Sequence, residues 1–161
     1  RVAFMSQLVK EITNAVKLAA VHELTPVFRL NGTSDLRWEA VPVTVKGVTY
    51  PNVMAVFPNI QFYDYQKRSR LSKDIPKNYH LTFSRAESNE AKALEMLGLG
   101  ENVAVVFSTP KGKAFPATWN GYTVIDGDES DLRFLDPKGV IVGLHAKGKA
   151  RFDKTGFVVI V

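Results

Sequence analysis

The sequence predicts an α/β fold with a mostly parallel sheet and flanking helices. Short apolar runs rich in β-branched residues alternate with segments of helical periodicity, the pattern expected of parallel strands joined by helices. The run over 102–108 is apolar almost throughout, as strands buried on both faces are. Several runs are followed at once by charged or amide residues. Because the carboxyl ends of parallel strands lie at one edge of a sheet, a ligand site is expected there.

The length and composition of the chain limit the class of protein to which it can belong. The chain has 161 residues, 45% of them hydrophobic, which predicts a single α/β domain over residues 1–161. It contains no run of about eighteen apolar residues, so neither a membrane span nor a membrane partner is expected. The first residue is Arg1 rather than Met, which predicts a fragment of a longer protein.

The cysteine content and the net charge limit the kinds of site and ligand that the chain can have. The chain has no cysteine, which excludes an Fe–S cluster, a thiolate zinc site and a cysteine nucleophile within it. The net charge of +5 favours polyanions such as nucleic acid. A basic excess of this size is more often a soluble surface rich in lysine, so charge alone does not decide between the two interpretations.

Helical signals occupy separate segments. Apolar residues recur at helical spacing over 4–21, which predicts an amphipathic helix with its apolar stripe on the core. A short helix is predicted to begin with Pro51 at its first position. Another is predicted over 89–97, after the capping-box pattern of Ser84-Arg-Ala-Glu87.

Strand signals are more numerous. The segment 41–48 contains Pro42 and is predicted to be an edge strand or a loop. Asn120-Gly121 is a turn typical of hairpins. The predicted strands are 27–30, 60–65, 79–84, 102–108, 117–119, 122–125, 140–144 and 157–161.

Polar side chains at the strand ends are the candidate ligand-binding residues. Arg29, Lys67 and Arg85 are predicted to contact phosphate. The guanidinium groups would hold it by paired hydrogen bonds, and the lysine ammonium would attract it as a point charge. Asp126 and Asp128 are predicted to hold a metal such as Mg²⁺ or to position a hydroxyl. An Arg85→Ala variant should then lose affinity without unfolding. The full predicted set is Arg29, Asn31, Asp35, Asp64, Lys67, Arg85, Asp126 and Asp128.

These residues also have ordinary structural interpretations. Asp35 can cap a helix, and Asp126-Gly127-Asp128 is a composition more often found in turns than in metal sites. Arg29 follows apolar residues in a strand predicted to be buried, where a guanidinium needs a partner. No pair of carboxylates has a spacing that identifies a general acid and base, so the catalytic residues are unknown.

Other side chains bear on the type of ligand. Lys111, Lys113 and Lys147 also follow strand ends. Aromatic residues interleaved with cations suit nucleotides and single-stranded nucleic acid, because bases stack on aromatic rings. The predicted stacking surfaces are Tyr63, Tyr65 and Trp119. The three histidines, His22, His80 and His145, have no partner at metal-ligand spacing and are predicted to be ordinary core or surface residues.

Five long and unusual segments carry a family resemblance. They are Phe28-Arg-Leu-Asn-Gly-Thr-Ser-Asp-Leu-Arg-Trp-Glu39, Phe62-Tyr-Asp-Tyr65, Asn78-Tyr-His-Leu-Thr-Phe-Ser-Arg85, Val124-Ile-Asp-Gly-Asp-Glu-Ser-Asp-Leu-Arg-Phe-Leu-Asp-Pro137 and Val140-Ile-Val-Gly-Leu-His-Ala-Lys-Gly148. These segments resemble the gene product 88 family of mycobacteriophages. The resemblance covers nearly the whole sequence and implies a phage or prophage protein in the cytoplasm of a host bacterium.

The resemblance brings no established activity. It implies a Cys-rich segment ahead of the matched region, similar to the cluster-binding loop of radical enzymes that use S-adenosylmethionine. This chain would then be the carboxyl-terminal part of the protein, and the sheet part of a TIM-barrel-like, radical-enzyme-like fold. A complete barrel usually needs more than roughly 200 residues, so an open sheet is the alternative.

The leading hypothesis for function is binding of a phosphate-bearing ligand, either nucleic acid or a nucleotide, at the strand-end loops. A second is an enzyme fragment whose cofactor segment lies upstream. A third is a non-catalytic protein that binds a host factor. The third predicts that the strand-end polar groups point in unrelated directions and form no pocket.

Overall fold

The computed structural model describes residues 2–161. The α-helices of this part of the chain are α1 (Val2–Val21), α2 (Val53–Val56) and α3 (Glu90–Gly98). Its strands are β1 (Val27–Arg29), β2 (Val43–Val45), β3 (Val48–Tyr50), β4 (Gln61–Gln66), β5 (Tyr79–Ser84), β6 (Val103–Phe107), β7 (Thr118–Trp119), β8 (Tyr122–Asp126) and β9 (Ile141–His145).

A seven-stranded sheet runs in the order β1-β4-β5-β6-β9-β8-β7. The pairs β1–β4, β5–β6, β6–β9 and β8–β9 are parallel, and β7 pairs antiparallel with β8 at one edge. The α/β class with a mostly parallel sheet is therefore confirmed. Among the described residues the sheet does not close into a barrel, so the TIM-barrel-like architecture is not shown.

The chain divides into two compact units. The first comprises Arg1–Asp64 and Lys73–His80, and the second comprises Tyr65–Ser72 and Leu81–Val161. Strands β4 and β5 each begin in the first unit and end in the second, and the single domain over 1–161 stays a prediction. Four of the eight predicted ligand-binding residues belong to each unit.

The first unit is built on α1. Met5 and Ile12 lie two turns apart and are buried, so this part of the predicted apolar stripe faces inward, whereas Phe4 of the same stripe is 59% exposed. The region predicted as an edge strand or loop forms a separate hairpin of β2 and β3. Lys46 and Gly47 close it with φ angles of 49° and 81°, the left-handed pair that a tight two-residue hairpin turn requires.

The predicted capping of the two shorter helices was wrong, although α3 begins within one residue of its predicted start. Asn52, not Pro51, precedes α2, and its side-chain oxygen accepts a hydrogen bond from the backbone N–H of Ala55 at 2.9 Å. An asparagine side chain can satisfy a free N–H of the first turn, which proline cannot do. Helix α3 follows Asn89 rather than a capping box, because Ser84 is still the last residue of β5.

The second unit has its own apolar core. Helix α3 supplies Ala93, Met96 and Leu97, and the strands supply the other members of a fully buried cluster. Those strand residues are Phe83, Val103, Val105, Phe107 and Ile141. This buried cluster packs along the parallel strands and fixes the positions from which the loops after these strands begin.

The strand register brings three carboxyl ends to one edge. In β6 and β9, Phe107 is opposite His145, and in β8 and β9, Asp126 is opposite Gly143. The segment 157–161, predicted to be a strand, instead makes a single parallel bridge between Val159 and Phe107. It reaches β6 there because β5 ends at Ser84, level with the second residue of β6.

Candidate functional site

A cleft of about 1080 Å³ lies at the carboxyl ends of β6, β8 and β9 in the second unit. We call it the strand-end cleft. Its lining comes from the segment 108–114 after β6, from Asp126, Asp128 and Glu129 after β8, and from residues between 145 and 153 after β9. Val158 and Ile160 complete it. Of the eight predicted ligand-binding residues, Asp126 and Asp128 line this cleft.

Both carboxylate oxygens of Asp128 make polar contacts in the cleft. One carboxylate oxygen, Oδ2, accepts the backbone N–H of His145 at 2.9 Å and lies 2.7 Å from Nδ1 of the same residue. The other, Oδ1, accepts a hydrogen bond from Nζ of Lys147 at 2.6 Å. Burial opposes ionisation of this carboxyl, but the bonds from Lys147 and His145 outweigh it and hold the pKa of Asp128 at about 2.

His145 is held on two sides. Asp128 faces Nδ1, and the ring of Phe115 packs against the imidazole with centroids 4.3 Å apart. Because a carboxylate only accepts, Nδ1 carries the proton in this pair, and the other nitrogen of a neutral ring is an acceptor. That nitrogen, Nε2, is buried and has no hydrogen-bond partner among the described residues.

A tight turn places Asp128 over β9. The side chain of Asp126 accepts the backbone N–H of Asp128 at 2.8 Å, and the N–H of Gly127 donates to the carbonyl of Gly143 at 2.8 Å. A Cβ on Gly127 would collide with Val142 and lie 2.9 Å from that carbonyl oxygen. Glycine is needed here because the backbone of the turn lies directly on the neighbouring strand.

A buried arginine supports the same turn. Arg133 is 1% exposed, and its Nη2 donates to the carbonyl of Ser130. Its Nε lies 3.4 Å from a carboxylate oxygen of Asp136. Burial raises the pKa of Asp136, and the charge of Arg133 counteracts this in part. These contacts link Ser130, Arg133 and Asp136 within the segment between β8 and β9.

The cationic side chains of the cleft differ in how they are used. Lys147 is bound to Asp128, and Nε of Arg151 is 3.4 Å from the carbonyl of Ala146. Lys111 and Lys113 are exposed at the rim and make no ion pair within the described chain. These two ammonium groups are therefore available to an anion.

Metal binding has little support in this geometry. Across residues 2–161 no group of three or more His, Asp or Glu side chains is placed to hold a metal ion. The two oxygens of Asp128 already face His145 and Lys147, and one oxygen of Asp126 accepts a backbone N–H. The metal role of Asp126 and Asp128 stays a prediction, but the structure brings the two residues together in a turn.

Asn31 and Asp64 meet in the first unit. Asp64 is fully buried, and its two oxygens accept the backbone N–H of Asn31 at 2.7 Å and the hydroxyl of Tyr79 at 2.8 Å. Burial raises the pKa of Asp64, although these bonds and the charge of Arg29 favour the ionised form. With both oxygens occupied, Asp64 acts as an internal cross-link, and its ligand-binding role is untested.

The loop after β1 is organised by Asn31. Its side-chain oxygen accepts hydrogen bonds from Ser34, from the backbone of Leu36 and from the indole N–H of Trp38. Asp35 is half-buried beside this network and does not cap a helix, since the next helical turn follows Arg37 without a side-chain cap.

The three residues predicted to contact phosphate lie in environments that differ from those expected. Arg29 is exposed, so the argument from its burial was wrong; β1 is an edge strand, only partly covered. Arg85 is buried and bonds to the carbonyls of Gly156 and Phe157 and to Glu90, so a phosphate would have to displace internal partners. Lys67 is exposed but does not line the strand-end cleft.

The predicted stacking surfaces also change. Tyr63 is buried, and Trp119 packs edge-on against Phe107 with centroids 6.3 Å apart, so both belong to the packing of the chain. An aromatic ring that is open to solvent is Phe152, 82% exposed and adjacent in the chain to two lining residues of the cleft.

His145 is the residue that sequence reasoning missed. Its partner Asp128 lies 17 residues earlier in the chain, and the two meet because β8 and β9 are neighbours in the sheet. The signal available in the sequence was that each directly follows or ends an apolar run, which placed both at the same predicted edge.

Comparison with known proteins places the chain in a family. The family model described as gene product 88 matches residues 1–159. The chain belongs to the gene product 88 family. No curated protein and no solved structure matches it. In the described part of this family member, no helix is both long and apolar enough to cross a bilayer.

Proposed function

We propose that this gene product 88 protein binds a phosphate-bearing ligand, a nucleotide or single-stranded nucleic acid, in the strand-end cleft. The observation that carries the proposal is the pair of rim lysines, Lys111 and Lys113. Both line the cleft, both are exposed, and neither is neutralised by a carboxylate within residues 2–161. Unpaired ammonium groups beside a cleft attract anions and raise their rate of association.

Two of the four acidic residues that line the cleft are occupied by internal donors. Asp128 is bound by Lys147 and His145. Asp153 accepts hydrogen bonds from the Thr155 hydroxyl at 2.7 Å and from the backbone N–H of Val158 at 3.0 Å. Carboxylates that are saturated with internal donors offer little to an incoming anion beyond their screened charge.

The size and edges of the cleft favour a nucleotide or a nucleic-acid strand. Pockets for small ligands range over about 300 to 1,000 Å³, and this one has about 1080 Å³. Phe152 presents an open aromatic face next to Arg151, and bases stack on such faces irrespective of sequence. Single-stranded nucleic acid combines the two features, phosphate and unstacked base.

Binding is tested by fluorescence anisotropy with labelled single-stranded RNA, single-stranded DNA, duplex DNA and nucleotides over a range of salt concentrations. We expect the Lys111→Ala/Lys113→Ala variant to bind single strands about tenfold more weakly. Loss of two phosphate contacts should lower the slope of log affinity against log salt by about 1.4.

A matched control separates the cleft from overall charge. Lys92→Ala/Lys138→Ala removes the same charge from the same unit, and neither residue lines the cleft. Lys138 precedes β9, whereas the cleft lies at the carboxyl end of that strand. Equal losses in the two double variants would assign binding to net charge, and absence of binding to every probe at low salt would overturn the proposal.

The origin of the protein belongs to the same proposal. We infer that it is phage-encoded, of the mycobacteriophage type, and acts in the cytoplasm of a host bacterium. We also infer that it corresponds to the carboxyl-terminal part of a longer protein. Membership of the gene product 88 family supports the first inference, and the resemblance of the long motifs supports the second.

The two alternatives differ in their support. The host-factor hypothesis expected no pocket at the strand ends, so the presence of the cleft favours ligand binding instead. The enzyme-fragment hypothesis, with a TIM-barrel-like fold and an upstream cofactor segment, stays a prediction. Sequencing of the encoding gene upstream of Arg1 tests it directly.

A further inference from the structure

We propose that the strand-end cleft is catalytic, with His145 as the general base that activates water against a bound phosphodiester and Asp128 as the residue that positions His145. The inference rests on the proposed function, since the same cleft and the same rim lysines would hold the phosphodiester. It adds a reaction to what was proposed as a binding site.

The first support is the way in which Asp128 fixes the imidazole. A single oxygen, Oδ2, faces Nδ1 at 2.7 Å and the backbone N–H of His145 at 2.9 Å, so ring and main chain are held together. Lys147 holds the other oxygen at 2.6 Å. A carboxylate in this position selects the tautomer with the proton on Nδ1 and leaves a lone pair on Nε2, as orienting carboxylates do for catalytic histidines.

The second support is the state of Nε2. It is buried without a hydrogen-bond partner in the described chain, and so is the hydroxyl oxygen of Thr109, a cleft residue only 8% exposed. Buried polar atoms are nearly always paired, and an exception calls for an explanation, of which a catalytic role is one. A histidine that served only to pack on Phe115 could be replaced by an apolar ring with no such cost.

The cleft allows a substrate to approach this nitrogen. Residues 110–114, which form one wall, are exposed at every position, and Phe115 at the end of this segment covers the imidazole. Since Nε2 is buried, substrate reaches it when these side chains shift. Loop segments with exposed residues and few buried contacts move most readily.

The chemical step balances without a cofactor. Water attacks phosphorus and forms a new P–O bond, while its proton passes to Nε2 of His145. The P–O bond to the leaving oxygen breaks, and that oxygen takes a proton from solvent. The imidazolium, stabilised by Asp128, then returns its proton to solvent. A diester and water become a monoester and an alcohol.

The test is steady-state hydrolysis of bis(4-nitrophenyl) phosphate and of labelled single-stranded RNA and DNA, all in excess EDTA. We expect His145→Gln to lower kcat at least about a hundredfold with KM within about twofold of the unaltered protein. Lys111→Ala/Lys113→Ala should raise KM instead. His22→Gln, an exposed histidine of the first unit, is the matched control and should hydrolyse normally.

Asp128→Asn checks the positioning role. It should lower kcat by a smaller factor than His145→Gln and leave KM unchanged, a split that loss of folding would not produce. If His145→Gln loses its folded circular-dichroism spectrum, the Asp128→Asn result decides. Oligonucleotide binding without hydrolysis by the unaltered protein would overturn this inference and leave the proposed function standing. Hydrolysis that EDTA abolishes, or that survives His145→Gln, would also overturn it.

Discussion

Asp64 in the first unit and Asp128 in the second are carboxylates near the carboxyl ends of parallel strands, yet they have opposite environments. Asp64 is fully buried, and it accepts hydrogen bonds from a backbone N–H and a hydroxyl. The side chain of Asp128 is 22% exposed, lines a cleft, and faces an ammonium and an imidazole. The position of a carboxylate at a strand end therefore does not decide its role; the type of donor and the access of water do.

The pKa values express this difference. Burial raises the pKa of Asp64 above its usual 3.8, because the hydrogen bonds that it accepts and the charge of Arg29 do not fully replace water. For Asp128 burial is smaller, and the cation and imidazole lower the pKa to about 2. The first carboxylate behaves as a cross-link, and the second as an ionised group at an open site.

The largest expected effect comes from removing the buried carboxylate. Asp64→Ala leaves the N–H of Asn31 and the hydroxyl of Tyr79 without an acceptor in the interior, and we expect the free energy of unfolding to fall by about 3 kcal/mol. Asp128→Ala should cost about 1 kcal/mol, because water can reach the groups it abandons. Urea unfolding measures both, and equal losses would contradict the comparison.

Two glycines near these carboxylates sharpen the comparison. Gly32 follows Asn31, which donates to Asp64, and Gly127 precedes Asp128. A Cβ on Gly127 would lie 2.8 Å from Nη1 of Arg133 and 2.9 Å from the carbonyl of Gly143, whereas nothing lies within 4 Å of a Cβ on Gly32. We expect Gly127→Ala to destabilise the protein by about 2 kcal/mol and Gly32→Ala to change stability by less than about 0.5 kcal/mol. Thermal unfolding of the two variants, side by side, checks this.

Opposite pH dependences give the smallest and most specific effect. The raised pKa of Asp64 means that its contribution to stability is full below about pH 3.8 and is lost as pH rises through its folded-state value. The depressed pKa of Asp128 means that its contribution is present above pH 3.8 and is lost as pH falls towards 2.

The corresponding asparagine variants separate the two carboxylates. Relative to the unaltered protein, Asp64→Asn should gain stability as pH rises from 3.8 to 6, and Asp128→Asn should approach it as pH falls from 4 to 2.5. Urea midpoints measured across pH 2.5 to 6 supply the test. Parallel curves for the two variants would show that their environments do not differ as described.

Much of the architecture was predictable because it depends on local patterns. The segment 79–84 is strand β5 with the predicted bounds, and α1 buries Met5 and Ile12 of the stripe that its periodicity indicated. The failure at 157–161 is not local: the segment has the composition of a strand, but β6 is available to it only at its last residues. Propensity predicts what a segment can form, whereas pairing partners decide what it does form.

The candidate site was predictable in position but not in membership. Asp126 and Asp128 were predicted because acidic residues that follow an apolar run can be recognised in the sequence alone. Arg85 fits the same pattern, yet it is satisfied by the carbonyls of Gly156 and Phe157, 71 and 72 residues away. Nothing in the sequence distinguishes an arginine with internal partners from one that awaits a ligand.

The sequence by itself determined the fold class, the family and the sheet edge at which polar residues collect, because these follow from periodicity, composition and motifs. The tertiary structure alone decided that β9 lies between β6 and β8, and therefore that His145 stands beside Asp128. Strand order is set by packing between distant segments, and side chains on neighbouring strands meet at distances that their separation in the chain does not encode.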